Sequence, residues 1–370
     1  MKYKLKTIFA AMAGKTNRYR WLILPGIALG FFLLTQILRH QPIFIEKYYS
    51  NGIYPVLALV LSQFSSLFPF SLADLLYLFL FLFPVVLLVL ALLKKQKWKQ
   101  AGKALVKLFS ISYILFYLLW GFNYFRAPLQ QRLGVIDRAP NSEEFVAFIH
   151  NYIIELNNLH CSFENFGKEE SDKMIEESYQ NLATVFNFKY PMGKRPDKKI
   201  SFSRFYAKSG ITGYFGPFFN EVHVNKLVLP VEYPYVLAHE KAHQLGVTSE
   251  AEANFYAWLV CTQSSSSQLQ YSGKLFILFH LLRQAYGLET YEQLIETISP
   301  EVRADIKAIR EHHAALRNER LDKAASKLND AYLKSNNIKS GIKDYTGVVD
   351  HVMNFSLDSA FQQRCGLAPK

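Results

Sequence analysis

Three long apolar runs dominate the first third of the chain. Trp21–Leu38 contains no charged residue, Leu72–Leu93 contains one acid, Asp74, near its start, and a third, shorter run extends from about Leu108 through Trp120 to Tyr124. About 20 apolar residues cross a bilayer core, so the pattern predicts three membrane spans, at about 21–38, 72–93 and 106–124. Pro25 and Gly26 do not exclude a span, and Pro84 predicts a kink in the second. Between the first two runs, Pro55–Phe68 is moderately apolar, which fits a segment lying along the membrane surface or packed on the spans. The first run follows a long basic leader and ends at Arg39-His40-Gln41-Pro42, without the small-residue pattern of a cleaved signal peptide, so it reads as an anchor.

From Ala127 onward the pattern changes to that of a globular domain of some 240 residues, enough for a real core. Glu143–Leu156 and Lys173–Phe186 have helical periodicity. Lys199–Tyr206 and Gly213–Leu229 are rich in Phe, Val, Ile and Tyr between Gly and Pro breaks and read as short strands or hairpins. Beyond Val231 the periodicity is helical over 232–245, 250–263, 272–286, 289–297, about 300–333 and about 345–355, with Ser264–Ser267 as a polar joint. Strands early and helices late predict an α+β domain, mainly helical. The expected organisation is a membrane anchor over 1–126 and a folded domain over 127–370.

Charge changes the picture in one respect. The chain carries 42 Lys and Arg against 30 Asp and Glu, but residues 1–126 hold 15 of the basic residues and only two acids, Glu46 and Asp74. The excess therefore belongs to the apolar third. Nucleic-acid binding calls for a basic stripe on a folded domain, and none is visible. Lys and Arg are retained on the cytoplasmic side of spans. The leader (Lys2, Lys4, Lys6, Lys15, Arg18, Arg20) and the loop Lys94, Lys95, Lys97, Lys99, Lys103, Lys107 are wholly basic, whereas the 39–71 loop has only Arg39, Glu46 and Lys47. The N-terminus is accordingly expected in the cytoplasm and the domain from 127 outside it. Three spans with one acid offer little for a transport pathway.

The segment that carries chemistry is Tyr235-Val-Leu-Ala-His239-Glu240-Lys-Ala-His243-Gln-Leu-Gly246. Histidines at i and i+4 lie one turn apart on a helix face, so both imidazoles reach one metal ion, and Glu240 is placed to take a proton from water there. This is the HExxH arrangement of zinc hydrolases, and the cofactor it calls for is Zn²⁺. Gly246 is positioned as a helix C-terminal cap. A catalytic zinc needs a third protein ligand. Downstream, Ser249 and Glu252 are spaced as a capping box, which leaves Glu250 free to turn toward His239 and His243; Glu252 is the alternative on a different face. Asn254, one turn beyond Glu250, is placed to hold a ligand imidazole by its second nitrogen. The expected fold class is thus an α+β, mainly helical extracytoplasmic zincin-like domain following three N-terminal transmembrane helices.

Glu250-Ala-Glu-Ala-Asn254 resembles the ExxA[D/N] element that follows HExxH in gluzincin metallopeptidases, including the membrane-bound heat-shock and CAAX-type proteases. The resemblance implies that Glu250 binds zinc. The linker from His243 is shorter here, and Asn replaces the more usual Asp. Gly246, three residues past His243, is also similar to metzincins, but Ser249 stands where their third histidine would be. Over the whole chain the layout resembles an uncharacterised, domain-of-unknown-function type of bacterial membrane protein, with a basic leader, three spans, PFSLAD at Pro69–Asp74, GITGYFGPF at Gly210–Phe218, and then HExxHQxG and ExEANF. That resemblance implies a zinc metallopeptidase of the bacterial inner membrane.

Zinc peptidases often hold an extended substrate on a strand edge, and Gly213–Asn225 is positioned for this. Candidates for stabilising an oxyanion are Tyr345, His351, His223 and Arg204. His280 reads as a packing residue, and His312 and His313 as a solvated face. Cys161 and Cys365 would lie where disulfides form, and Cys261 on an apolar helix. The function expected is a membrane-anchored, zinc-dependent metallopeptidase acting on a peptide or protein substrate outside the cytoplasm, with Glu240 activating water. The alternative is a non-catalytic metal-binding scaffold of the cell envelope.

Overall fold

A computed structural model describes residues 19–135, 138, 140–193, 195–364 and 367. Lys2, Lys4, Lys6, Lys15 and Arg18 of the basic leader, and Cys365, lie outside the described residues.

Among the described residues, three helices are long and apolar enough to cross a membrane, marking a membrane protein: α1 (Arg20–Leu38), α3 (Leu72–Leu92) and α4 (Trp98–Leu119). Their surfaces are dominated by exposed Leu, Ile, Val and Phe, as expected of helices solvated by lipid rather than water. Ser71 caps α3 by accepting from the Asp74 amide at 2.8 Å, and Pro84 is carried inside a helix that continues to Leu92. The third helix starts at Trp98, earlier than the apolar pattern alone indicates. Lys99, Lys103 and Lys107 recur every four residues, so they share one face and leave the others apolar. The connection from α3 shrinks to residues 93–97. Lys103 lies over the ring of Trp21, 4.9 Å from its centroid, so the start of α1 and the start of α4 are at the same end of the three-helix unit.

The other end faces the folded domain. Arg39, just past α1, donates to Asn337 at 3.1 Å. Ser71, before α3, meets His223 at 2.7 Å. Trp120, just past α4, reaches His243. The segment between α1 and α3 is folded: a π-helical stretch, Ile45–Ile53, leads into α2 (Tyr54–Ser66). Ile45, Tyr49, Tyr54 and Ala58 from this segment pack with Tyr117, Trp120, Phe122, Tyr124 and Phe125 into an aromatic core of their own, wedged between the apolar helices and the domain.

The domain is mainly helical around one larger core. Among its helices are α5 (Ser142–Leu159), α6 (Lys168–Asn181), α7 (Ser203–Lys208), α8 (Tyr233–Gln244), α9 (Glu250–Thr262), α10 (Ser267–Ala285), α11 (Pro300–Leu316), α12 (Glu319–Ser335) and α13 (Val348–Leu357). The single sheet among the described residues has three short strands, β1 (Lys198–Lys199), β2 (Gly213–Gly216) and β3 (Glu221–Val224), in the order β1-β3-β2. β3 runs parallel to β1 and antiparallel to β2, with Tyr214 opposite His223 and Gly213 opposite Val224.

Two expectations are corrected. Of the strand expected at 199–206, only Lys199 pairs, as the end of Lys198–Lys199, and Ser203–Lys208 is helical; its aromatics made it look like a strand, but Phe202 and Phe205 are exposed, not core. The long helix expected over about 300–333 is two, because Arg317 is extended and Asn318 caps α12 from its side chain.

Candidate metal centre

Helix α8 carries the HExxH segment. Pro234 occupies its first turn, where a missing N–H is not needed. The helix is buried on almost all sides, so Lys241, which a surface helix would leave in water, is 1% exposed. Its ammonium pairs with Asp172 at 2.8 Å and Glu176 at 2.5 Å on α6 and donates to the Arg195 carbonyl at 2.8 Å. A buried charge has to be paired in this way, and the pairing fixes the rotation of α8.

The end of α8 aims the next helix. Gly246 adopts φ +84°, its amide donates to the His243 carbonyl at 3.0 Å, and the Val247 amide donates to Ala242 at 3.1 Å. This is the paired Schellman closure of a helix C-terminus. It turns the chain within a few residues, so α9 packs against α8 despite the short linker. Ser249 caps α9 through the Glu252 amide. The second half of the expected capping box is absent. The Glu252 carboxylate instead pairs with Arg132 and accepts from the Leu129 amide at 3.2 Å. The first turn of α9 is held by Asp344, whose Oδ2 accepts from Ser249 Oγ and the Glu250 amide at 2.7 Å each. A carboxylate is favourable at a helix N-terminus, but nothing local in the sequence links position 344 to 250.

Glu250 is thereby brought to the histidines. Its Oε2 lies 3.2 Å from His239 Nε2 and 3.5 Å from His243 Nε2, and the two Nε2 atoms are 3.2 Å apart. One ligand atom from each of the three residues falls within 4.8 Å of the others. His243 Nδ1 is engaged with the Val247 carbonyl at 2.8 Å, which makes Nδ1 the protonated nitrogen and leaves the Nε2 lone pair facing His239 and Glu250. Two imidazole nitrogens and a carboxylate oxygen, all largely buried, are donors that could hold a metal ion. The carboxylate and the imidazoles are strongly coupled, and a metal would take the place of the proton they share. Burial alone would raise Glu250, yet the two histidines hold its carboxyl well below the usual range; burial would lower His243, yet Glu250 lifts it to about 9.

Glu240 lies beside this cluster, 5% exposed and packed on β2. A Cβ on Gly213 would sit 2.8 Å from its Oε1. Burial, with Glu250 adding to it, raises the Glu240 carboxyl above its ordinary value against the opposing pull of His239 and His243.

Of the other sequence candidates, Tyr345 is the one brought to the site. Burial, and after it the nearby Glu250 carboxylate, raises its phenol well above the ordinary value and keeps it protonated. His223 is fully buried, stacked on Tyr214 at 4.1 Å and bonded to Ser71. His351 contacts Gln130 at 3.4 Å and the Phe255 ring, and Arg204 is exposed on α7. Asn254 does not bond an imidazole: its Oδ1 accepts from Tyr235 at 2.9 Å, while its Nδ2 and His239 Nδ1 have no hydrogen-bond partner among the described residues. His280 is partly buried, and burial holds it down at about 4, as suits a neutral packing residue. His312 and His313 are not a solvated face; they bond the Leu227 carbonyl and Glu232, each at 2.6 Å, and tie α11 to the turn before α8. Cys161 and Cys261 form no disulfide among the described residues.

Three residues of the membrane-facing part hold the end of α8. Trp120 Nε1 donates to the His243 carbonyl at 2.9 Å, Tyr54 Oη donates to the Gln244 carbonyl at 2.7 Å, and Arg126 donates to the Gly246 carbonyl at 3.0 Å while pairing with Glu46 at 2.7 Å. None was legible beforehand, because each lies more than a hundred residues from its partner.

Residues 49–353 match a family described as "Protein of unknown function (DUF3810)". The chain belongs to the DUF3810 family. That span runs from the middle of the π-helical stretch to α13, so the site and its membrane-facing supports both fall within the family region. No curated protein and no solved structure matches the chain.

Proposed function

We propose that this DUF3810 protein is a membrane-anchored, zinc-dependent metallopeptidase, with His239, His243 and Glu250 holding the metal and Glu240 as general base. The observation that carries the reading is the convergence of three largely buried donors from two helices beside a fourth, separately buried carboxylate. A metal that served only to brace the fold would have no use for Glu240. When bound, zinc supplies Lewis acidity and lowers the pKa of a coordinated water to about 7.

The chain's own residues account for the rest. Glu240 takes a proton from the attacking water and delivers it to the leaving amine. Tyr345 offers a protonated phenol next to Glu250 as donor to the developing oxyanion. β2 is an edge strand with Gly213 at the Glu240 end, which supports an extended peptide being bound by strand addition. The basic 94–107 segment lies at the end of the apolar helices away from the domain, which by the rule for Lys and Arg supports a domain outside the cytoplasm, as in a bacterial inner-membrane protein.

The test uses the full chain in detergent or nanodiscs. Wild type and Glu240→Gln should each bind close to one zinc, measured by elemental analysis. Only wild type should hydrolyse a pool of fluorogenic peptides. Equal hydrolysis by both removes Glu240 from its role; zinc binding without hydrolysis by either leaves the scaffold reading.

A further inference from the structure

We infer that the reaction centre is held at the bilayer surface by α2, and that its substrate is a polypeptide tethered to the same membrane and cut within a few residues of the interface. The second half of this statement rests on the peptidase reading; the first does not.

Helix α2 is amphipathic the wrong way round for a water-exposed element. Its buried face consists of Tyr54, Ala58, Ser62 and Ser65, whereas Val56, Val60 and Phe64, with Ile53 and Leu67 at its flanks, are exposed by 61%, 60%, 48%, 58% and 76%. At 3.6 residues per turn these five fall within about a quarter of the helix circumference. The buried hydroxyls are satisfied locally, Ser62 by the Leu59 carbonyl and Ser65 by the Ser62 carbonyl, each at 3.1 Å. An apolar stripe turned outward on a helix whose small and polar residues face the protein is the arrangement of an interfacial helix. It is continuous with the lipid-facing surface of the apolar helices: Lys198 donates to the carbonyls of Ser65, at the end of α2, and Phe70, before α3. Half-exposed Phe202 and Phe205 lie beside the same boundary, since the Ser201 amide donates to Asp74 of α3 at 2.8 Å. The occupant of this surface is therefore lipid.

The buried face of α2 carries Tyr54, whose phenol holds the last turn of the metal-binding helix. β2 extends from that site to the membrane. At one end Gly213 touches Glu240; at the other, a Cβ on Gly216 would lie 2.7 Å from Ala73 Cβ in the first turn of α3. Between them Tyr214 donates to Asp74 at 2.5 Å and its ring lies 6.1 Å from that of Tyr77, and Phe215 packs on Trp120 at 5.4 Å. Four strand residues span about 10 Å. A peptide aligned along β2 passes from the reacting carboxylate to the start of a membrane helix in three or four residues.

Two measurements test this on the full chain in lipid vesicles. In a Cys161→Ser, Cys365→Ser background, a fluorophore on Val60→Cys should be quenched by lipids spin-labelled near the top of the acyl chain; absence of quenching overturns the placement of α2 whatever the enzymology. A randomised fluorogenic peptide pool joined to a palmitoyl chain through a spacer of about four residues should be cleaved at least tenfold faster than the untethered pool, and a spacer of about twenty residues should lose most of that advantage. Equal rates for tethered and free pools overturn the substrate inference while leaving the peptidase reading intact. If quenching occurs but Glu240→Gln and wild type are equally inert on every pool, the peptidase reading falls and takes the substrate class with it.

Discussion

The indole of Trp120, one residue past the third apolar helix, donates to the main-chain oxygen of His243, a histidine of the candidate metal centre, at 2.9 Å. The membrane helix and the candidate ligand are thus one hydrogen bond apart. Trp120→Phe retains most of the ring packing and removes the donor. We expect a loss of about 1 kcal/mol in stability, the net worth of one buried hydrogen bond, and weaker zinc binding, read by thermal unfolding and by competition with a chelator. Unchanged zinc affinity would show that the clamp positions the fold but not the site.

Glu250 and Glu252 stand two residues apart and face different partners. Glu250→Gln should lower zinc affinity by at least tenfold while leaving the folded protein in place. Glu252→Gln should leave zinc binding nearly intact but destabilise the protein by about 3 kcal/mol, because Arg132, 2% exposed, would lose its counter-charge. The opposite pattern in metal content and melting temperature would transfer the ligand role to Glu252.

Gly213 is required by contact rather than by backbone conformation. A side chain there meets Glu240 Oε1 at 2.8 Å and the His223 carbonyl at 2.9 Å. Gly213→Val should displace Glu240 and reduce hydrolysis at least a hundredfold with zinc content unchanged. Full activity in this variant would mean that Glu240 does not work from the position it holds.

Outside the apolar helices, the buried carboxyls of Glu46, Glu176 and Glu221 are among those that sit below their ordinary value of 4.5. Burial opposes ionisation in each, and it is outweighed by Arg126 at Glu46, by Lys241 and Arg195 at Glu176, and by His223 and Lys198 at Glu221. A carboxyl depressed in the folded state binds fewer protons there than when unfolded, so it stabilises fully above the unfolded value and loses that contribution as pH falls through the folded value. Thermal stability in detergent should be level toward neutral pH and decline below about pH 4.5, with a shallower decline in Glu46→Gln.

The three apolar helices, the HExxH helix and the cap at Ser249 were legible in the sequence, because each depends on residues within a turn or a span of one another. Apolar length, i to i+4 spacing and capping chemistry are local properties that the chain carries wherever it folds. The same locality explains the errors. Phe202 and Phe205 look like strand residues until their exposure beside α3 is known, and Glu252 looks like half of a capping box until Arg132 takes its carboxylate.

Only the tertiary structure decided which acid turns to the histidines, that Asp344 holds the helix bearing it, and that Tyr54, Trp120 and Arg126 fasten the end of α8 to the membrane-facing part. The contacts of Asp344, Tyr54, Trp120 and Arg126 join residues roughly a hundred to two hundred positions apart. Their formation depends on how whole helices pack, and no spacing along the chain encodes that.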